Sequence, residues 1–237
     1  MILNSPAVWL LMSAITMPAH TLDFMKIKNW IPVLGLITFA SCLPGEKQWV
    51  DLFNGKDLTG WENPYGWGET KVKNGIIELV GNKKFFLSTK KQYSDFEFSA
   101  EVKLPEGKAN SGFLFRSQRK PNGQMFGYQA EVDGAERRWS GGLYDEGRRG
   151  WIQPIKPEDD PQNTKTWTEE KRNALKRNDW NKYRIKCVGK KLQVWVNGIN
   201  TLDITDDLDS RGYFGLQHHG EKGQVYRFRN IKIKELK

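Results

Sequence analysis

The segment "FEFSAEVKL" alternates without a break, with Phe96, Phe98, Ala100, Val102 and Leu104 on one side and Glu97, Ser99, Glu101 and Lys103 on the other. Successive strand side chains point to opposite faces, so a period of two predicts a half-buried antiparallel strand and argues against a helix. "GIIELVG", "FFLST", "SGFLFRSQ", "GYQAEVDG", "SGGLYDEG", "LQVWVNG", "GYFGLQHHG" and "QVYRFRNIKIKEL" continue the theme, punctuated by Gly, Asn, Pro and Asp. Asn197-Gly198 is a hairpin signal. So many short strands predict an all-β chain, a two-sheet antiparallel β-sandwich of the jelly-roll kind. The 237 residues suit one such domain. One stretch departs from the pattern. From Arg148 to Asp179 the chain is polar, and one short helix is expected there, capped by Thr166 or Thr168 and running to about Arg177. A loop this long in a compact domain reads as a binding loop or lid.

The start of the chain follows different rules. "MKIKNWIPVLGLITFASC" opens with Lys26 and Lys28, continues with an apolar run from Trp30 to Ala40, and ends in small residues before Cys42. That is the layout of a secretory signal, too short to span a membrane. Residues Phe39 to Cys42 resemble a bacterial lipoprotein signal, which makes Cys42 the expected lipidation site and membrane anchor. The expected organisation is therefore an upstream extension (1–24), a signal (25–41), a tether (42–47) and a jelly-roll domain (48–237). "CLPGEKQ" carries no acidic run, so the protein is expected to face the periplasm, with the cell surface as the alternative. If Cys42 is acylated, Cys187 has no disulfide partner, and its alternation with Tyr183 and Ile185 predicts a buried thiol.

The formal charge is +9; residues 1–41 contribute Lys26 and Lys28 against Asp23, which leaves +8 on the exported part. The Lys residues are scattered or paired with acids, so no nucleic-acid partner is expected; the basic surface suits an anionic membrane nearby. Ten Trp residues suit either sugar stacking or a large sandwich core.

The chemistry is suggested by polar groups sharing strand faces. In "GYQAEVDG", Tyr128, Ala130 and Val132 oppose Gln129, Glu131 and Asp133, and two like charges on one face need a reason. Either that face looks into water or it lines a site. "SGFLFRS" sends Arg116 away from Phe113 and Phe115, "SGGLYDEG" sends Tyr144 away from Leu143, and "GYFGLQHHG" puts Gln217 and His219 opposite Leu216 and His218. Gathered on one sheet, Arg116, Gln129, Glu131, Asp133, Tyr144, Gln217 and one of His218 or His219 would form a polar cleft. In "DEGRRGW", Arg148 and Arg149 either close a salt-bridged turn with Asp145 and Glu146 or reach over the cleft to a sugar.

"LFNGKDLTGWE", "SGFLFRS", "GYQAEVDG", "WSGGLYDEGRRGW", "WNKYRI", "LQVWVNG", "GLQHHG" and "FRNIKIKEL" together resemble the 3-keto-disaccharide hydrolase family, from about Gln48 to Lys237. The resemblance implies a concanavalin A-like jelly roll. It also implies a hydrolase or lyase acting on glycosides oxidised to a ketone at C3. A C3 ketone acidifies the C2 proton, so a base can remove it and the enolate can expel the C1 aglycone, with hydration completing the cleavage. Such a site needs a base, a cation or donor for the enolate and an acid for the leaving group. For that chemistry the base is expected to be Glu131 or His219, with Arg116 or a bound divalent metal stabilising the enolate. Gln129, Asp133 and Tyr144 are expected to orient the sugar, and Trp151 or Trp195 to stack on it.

Two other readings fit the same residues. Glu131-Val-Asp133-Gly-Ala-Glu136 matches the spacing of laminarinase-type retaining β-glucanases, although Gly134-Ala135 reads as a turn that sends Glu136 to solvent. A lectin-like carbohydrate-binding module would need aromatic walls without poised titratable groups. Metal ligation has no spacing signature: His219 with an acid would be a partial site.

Overall fold

A computed structural model describes residues 47–154 and 165–236. The expected extension, signal and most of the tether, with Cys42, lie outside the described residues, as does the middle of the long polar loop. In chain order the strands are β1 (Val50–Asp51), β2 (Trp61–Glu62), β3 (Glu69–Lys73), β4 (Ile76–Val80) and β5 (Phe85–Thr89). Next come β6 (Phe96–Lys103), β7 (Asn110–Arg119), β8 (Met125–Asp133), β9 (Leu143–Glu146) and β10 (Gly150–Gln153). After the helix α1 (Glu169–Arg172) follow β11 (Asn181–Val188), β12 (Lys191–Val196), β13 (Ile199–Thr205), β14 (Tyr213–His218) and β15 (Val225–Glu235).

They form two antiparallel sheets. The first runs β13-β12-β11-β6-β15-β4-β3 with β1 added on β15; the second runs β10-β9-β8-β7-β14-β5-β2. This is the two-sheet sandwich that the alternation predicts. β6 alternates buried and half-buried residues along its whole length. Its Phe96 and Phe98 pack on Phe214 of the opposite sheet, with centroids 4.7 and 4.4 Å apart. Burying such rings on both inner faces is the main source of stability, at roughly 25 cal/mol per Å² of apolar surface. Asn197 (φ 50°) and Gly198 (φ 89°) turn β12 into β13, as expected of a hairpin whose two central residues need positive φ. Cys187 is fully buried in β11, and burial pushes its thiol up to about 12.

The expected helix to Arg177 is shorter. Thr168 caps it by accepting from the Lys171 amide (3.4 Å), but Asn173 already ends it. Beyond it the chain is tied down as a loop, because Asn181 accepts from the Lys176 amide and donates back to the Lys176 carbonyl. Side-chain hydrogen bonds to the backbone compete with helix continuation.

Candidate functional site

β8 answers the question that its own sequence raises. Tyr128, Ala130 and Val132 enter the core, while Gln129 and Glu131 stand on the outer face of the second sheet. That face is not solvated: Gln129 is 2% and Glu131 3% exposed. Together with Asn110, Arg137, Tyr144, Trp151, Gln217 and His219, and with Lys84 and Glu146, they line a cleft of about 190 Å³. Strand order explains the assembly, since β9, β8, β7, β14 and β5 are consecutive neighbours. Room for the buried amide comes from Gly112, paired across from Glu131. A Cβ there would lie 2.4 Å from Cδ of Gln129. Gly112→Ala is therefore expected to push Gln129 aside and destabilise the fold by about 1–3 kcal/mol through overpacking. Thermal unfolding and ligand titration of the variant would check both effects; unchanged values for both would refute the packing account.

Glu131 is the electrostatic centre. Asn110 donates to its Oε1, Gln129 Nε2 donates to its Oε2 (2.9 Å), and Arg137 Nη2 lies 3.4 Å from Oε1. Burial raises its pKa from 4.5 to about 7, with the Asp133 charge adding to the rise; the two amides and Arg137 oppose it. A carboxyl that changes charge near neutrality inside a cleft is suited to taking and returning a proton.

Arg137 sits in the turn after β8, held by Asp133. The Asp133 Oδ2 accepts from Arg137 Nε (2.8 Å) and the Trp139 amide (3.0 Å), and its Oδ1 accepts from the Ala135 amide (2.9 Å). Asp133 thus folds the turn and aims a guanidinium instead of facing the cleft, which corrects its expected contact with sugar. The Arg137 guanidinium lies 4.9 Å from the Trp151 ring, and Trp151 meets Trp139 and Tyr144 edge-on at 4.8 and 5.3 Å. This aromatic wall with a cation over it suits the apolar face of a sugar ring. On the far rim His219 Nδ1 contacts Glu221 Oε1 (2.8 Å), and the other Glu221 oxygen accepts from the Tyr226 hydroxyl (2.6 Å). The imidazole is oriented through Nδ1, leaving Nε2 for a ligand.

Several expected residues stand elsewhere. Arg116 is 1% exposed and paired with Asp95 (3.0 Å) away from the cleft. The β7–β8 register shifts between Leu114 and Gln118, and Arg116 takes φ 47° there, so simple alternation fails at that residue. His218 belongs to the core, stacked on Phe85 (5.4 Å) and edge-on to Tyr226 (4.7 Å), and burial lowers its pKa. Trp195 lies on the first sheet under the Arg184 guanidinium (4.5 Å). Arg148 and Arg149 form the salt-bridged alternative: both pair with Asp145, and they reach Asp209 (2.6 Å) and Asp206 (2.8 Å), clamping the β9–β10 hairpin. The glucanase pair is not assembled, because Glu136 is 78% exposed beside Arg177 (3.9 Å) and lines a different hollow. That hollow is larger, about 300 Å³, yet its titratable groups are exposed, whereas Glu131 is buried in its own cleft.

Asn110, Lys84 and Arg137 were not expected at the site. Lys84 pairs with Glu146 across its rim, the acid that the sequence put in a turn. Only the order of the strands brings these residues together; Arg137 alone carries a signal, four residues after an acid at a strand end. Among the described residues no group of three His, Cys, Asp or Glu side chains is placed to hold a metal ion.

The architecture is shared widely. A protein from Parabacteroides distasonis, provisionally described as a glycosyl hydrolase, superposes with a TM-score of 0.56 at 22% identity, over 80% of this chain and 94% of that one. The carbohydrate-binding module CBM66 from Bacillus subtilis gives 0.55 at 17%, over 76% and 98%. A Bacillus subtilis protein of unknown function with a galectin-like fold gives 0.56 at 12%, over 81% and 96%. No functionally curated protein matches the chain. The family model described as the 3-keto-alpha-glucoside-1,2-lyase-like domain matches residues 48–234, and the chain belongs to that family.

Proposed function

We propose that the protein cleaves glycosides carrying a C3 ketone, by elimination across C1–C2 followed by hydration. The observation that carries this reading is Glu131: a buried carboxyl with a pKa near neutrality, in a cleft that also offers a cation and an oriented imidazole. Membership of the 3-keto-α-glucoside-1,2-lyase-like family supports it. In this reading ionised Glu131 takes the C2 proton, and the electron pair of that bond forms the enolate with the C3 oxygen. Arg137 replaces Arg116 as the cation facing the enolate oxygen. As the C3 carbonyl reforms, a C1–C2 double bond appears and the C1–O bond to the aglycone breaks. His219, whose ring Glu221 orients, protonates the departing oxygen. Water then adds across C1–C2, its hydroxyl to C1 and a proton to C2, giving the free 3-keto sugar. Trp151 and Tyr144 hold the ring against the wall. The Met25–Cys42 pattern extends the proposal to a lipid-anchored protein working in the periplasm.

The test is incubation of purified protein with a 3-keto-glucoside and with the unoxidised parent, with and without chelator, reading aglycone release. Release from the keto compound alone is the expected result. Release from the parent alone would favour a glucanase, and binding without release would favour a carbohydrate-binding module.

A further inference from the structure

We propose that Gln217 is a positioning residue for Glu131, acting through Gln129: the two amides form a one-way hydrogen-bond chain that holds the carboxylate in its anionic, proton-accepting form. The proposal rests on reading Glu131 as the base, and it concerns two amides that line the cleft beside it.

The direction of the chain follows from what each group can do. An ionised carboxylate only accepts, so Gln129 must offer its NH₂ to Glu131, as it does at 2.9 Å. That turns the Gln129 carbonyl toward β14, where Gln217 Nε2 donates to it at 3.2 Å. Gln217 then has its own carbonyl facing away, and this oxygen is buried with no hydrogen-bond partner among the described residues. A buried acceptor without a donor is unusual in a folded protein and calls for an explanation. Here the explanation lies at the other end, since the charge on Glu131 sets the polarity of both amides and the last oxygen is left over. Both glutamines are at most 2% exposed.

If Glu131 becomes protonated, its O–H can donate to the Gln129 carbonyl. Both amides can then reverse without loss of a hydrogen bond, leaving an NH₂ in place of the unpaired oxygen. The chain thus has two directions, one for each protonation state of the base; the hydrogen bonds of the anionic direction are charge-assisted and the stronger, so Gln217, by donating to Gln129, favours the carboxylate. Other groups bear on Glu131 as well: Asp133 and Arg137 beside it, Tyr144 on β9, Tyr183 reaching its backbone carbonyl from β11, and His219 across the cleft. Tyr144 stands opposite Gln129 in the β8–β9 register, but the hydrogen bonds of the Gln129 side chain run to Glu131 and Gln217, so substitution at Gln217 acts on the amide chain.

The experiment is a carboxyl-carbon NMR titration of Glu131 in ligand-free, full-length protein, comparing wild type with Gln217→Leu and Gln217→Glu, each first shown to be folded by its thermal transition. Gln217→Leu is expected to raise the midpoint for Glu131 by about one pH unit, because Gln129 loses the donor that orients it. Gln217→Glu is expected to raise it further, since a second carboxylate demands the Gln129 NH₂ for itself and adds a like charge. A folded variant of either kind in which Glu131 titrates at the wild-type pH or below would overturn the proposal. The titration needs no substrate, so failure to cleave a 3-keto-glucoside would sink the functional reading and leave this result standing.

Discussion

Glu131→Gln is expected to lose about 10²–10⁴-fold of turnover on a 3-keto-glucoside while leaving the fold at least as stable as before. An amide of the same shape cannot take a proton, so the loss falls on the chemical step. Stability behaves differently because the carboxyl is buried. Desolvation raises its pKa from 4.5 to about 7 in the folded chain, so between those values the folded state holds more protons than the unfolded state. Stability then falls as pH rises through that window and stays low above it. Each pH unit of the window costs about 1.4 kcal/mol, so the full cost at pH 8 is roughly 3 kcal/mol. The substitution removes that cost. The new amide can offer its carbonyl to Asn110 and its NH₂ to Gln129, whose own amide turns round to receive it.

The expected pattern is therefore a variant that unfolds like wild type at pH 4.5 and is more stable by up to roughly 3 kcal/mol at pH 8. The acid limb of the wild-type rate profile should rise to a half-point near 7, where Glu131 loses its proton, with a second limb falling where the acid is lost. Thermal unfolding at the two pH values and a pH–rate profile check both halves. Turnover within tenfold of wild type would remove Glu131 from the chemistry. A variant less stable than wild type at pH 8 would mean that the carboxylate is held by its donors more than it is penalised by burial.

How much of this was legible before any coordinates differs between sheet and site. Residues on regular strands could be read from period two alone: Gln129 and Glu131 on β8, Tyr144 on β9 and Gln217 on β14 all line the cleft, as alternation and composition suggested. Alternation failed where the backbone breaks its own rule. The register shift around Arg116 turns a strand residue into an edge anchor, and nothing in "SGFLFRS" announces a bulge. The site also draws Lys84 and Asn110 from the end of a turn and the start of a strand far apart in the chain; their meeting depends on β5, β14, β7 and β8 being neighbours, a long-range fact with no local signal. His218 and His219 show the limit of parity alone: the assignment of faces was right, and what decided the role was that Phe85 and Tyr226 enclose one imidazole while Glu221 orients the other. The Asp133 carboxylate shares its strand face with Glu131, but the turn it caps takes up both of its oxygens.

Arg116→Ala is expected to do the opposite of Glu131→Gln, costing about 3–5 kcal/mol of stability and leaving turnover per folded molecule unchanged. The guanidinium pairs with Asp95 (3.0 Å) and donates to the carbonyls of Ser94 (2.8 Å), Gly189 (2.7 Å) and Asp209 (3.3 Å). It therefore ties together the chain before β6, the β11–β12 turn and the segment before β14. Truncation removes the cation beside the Asp95 carboxylate, which is 5% exposed and keeps the Gly189 amide (3.0 Å) as a donor. Most of the penalty is a buried carboxylate without its counter-ion and not the lost attraction, so removing the acid as well should recover part of it. The Asp95→Ala, Arg116→Ala double variant is expected to unfold at a higher denaturant concentration than the sum of the single losses predicts. Activity is the discriminating measurement: if Arg116 held the enolate, the folded fraction of Arg116→Ala would be slow as well as fragile. With the cleft and the Arg137–Glu131 contact untouched by the substitution, only fragility is expected.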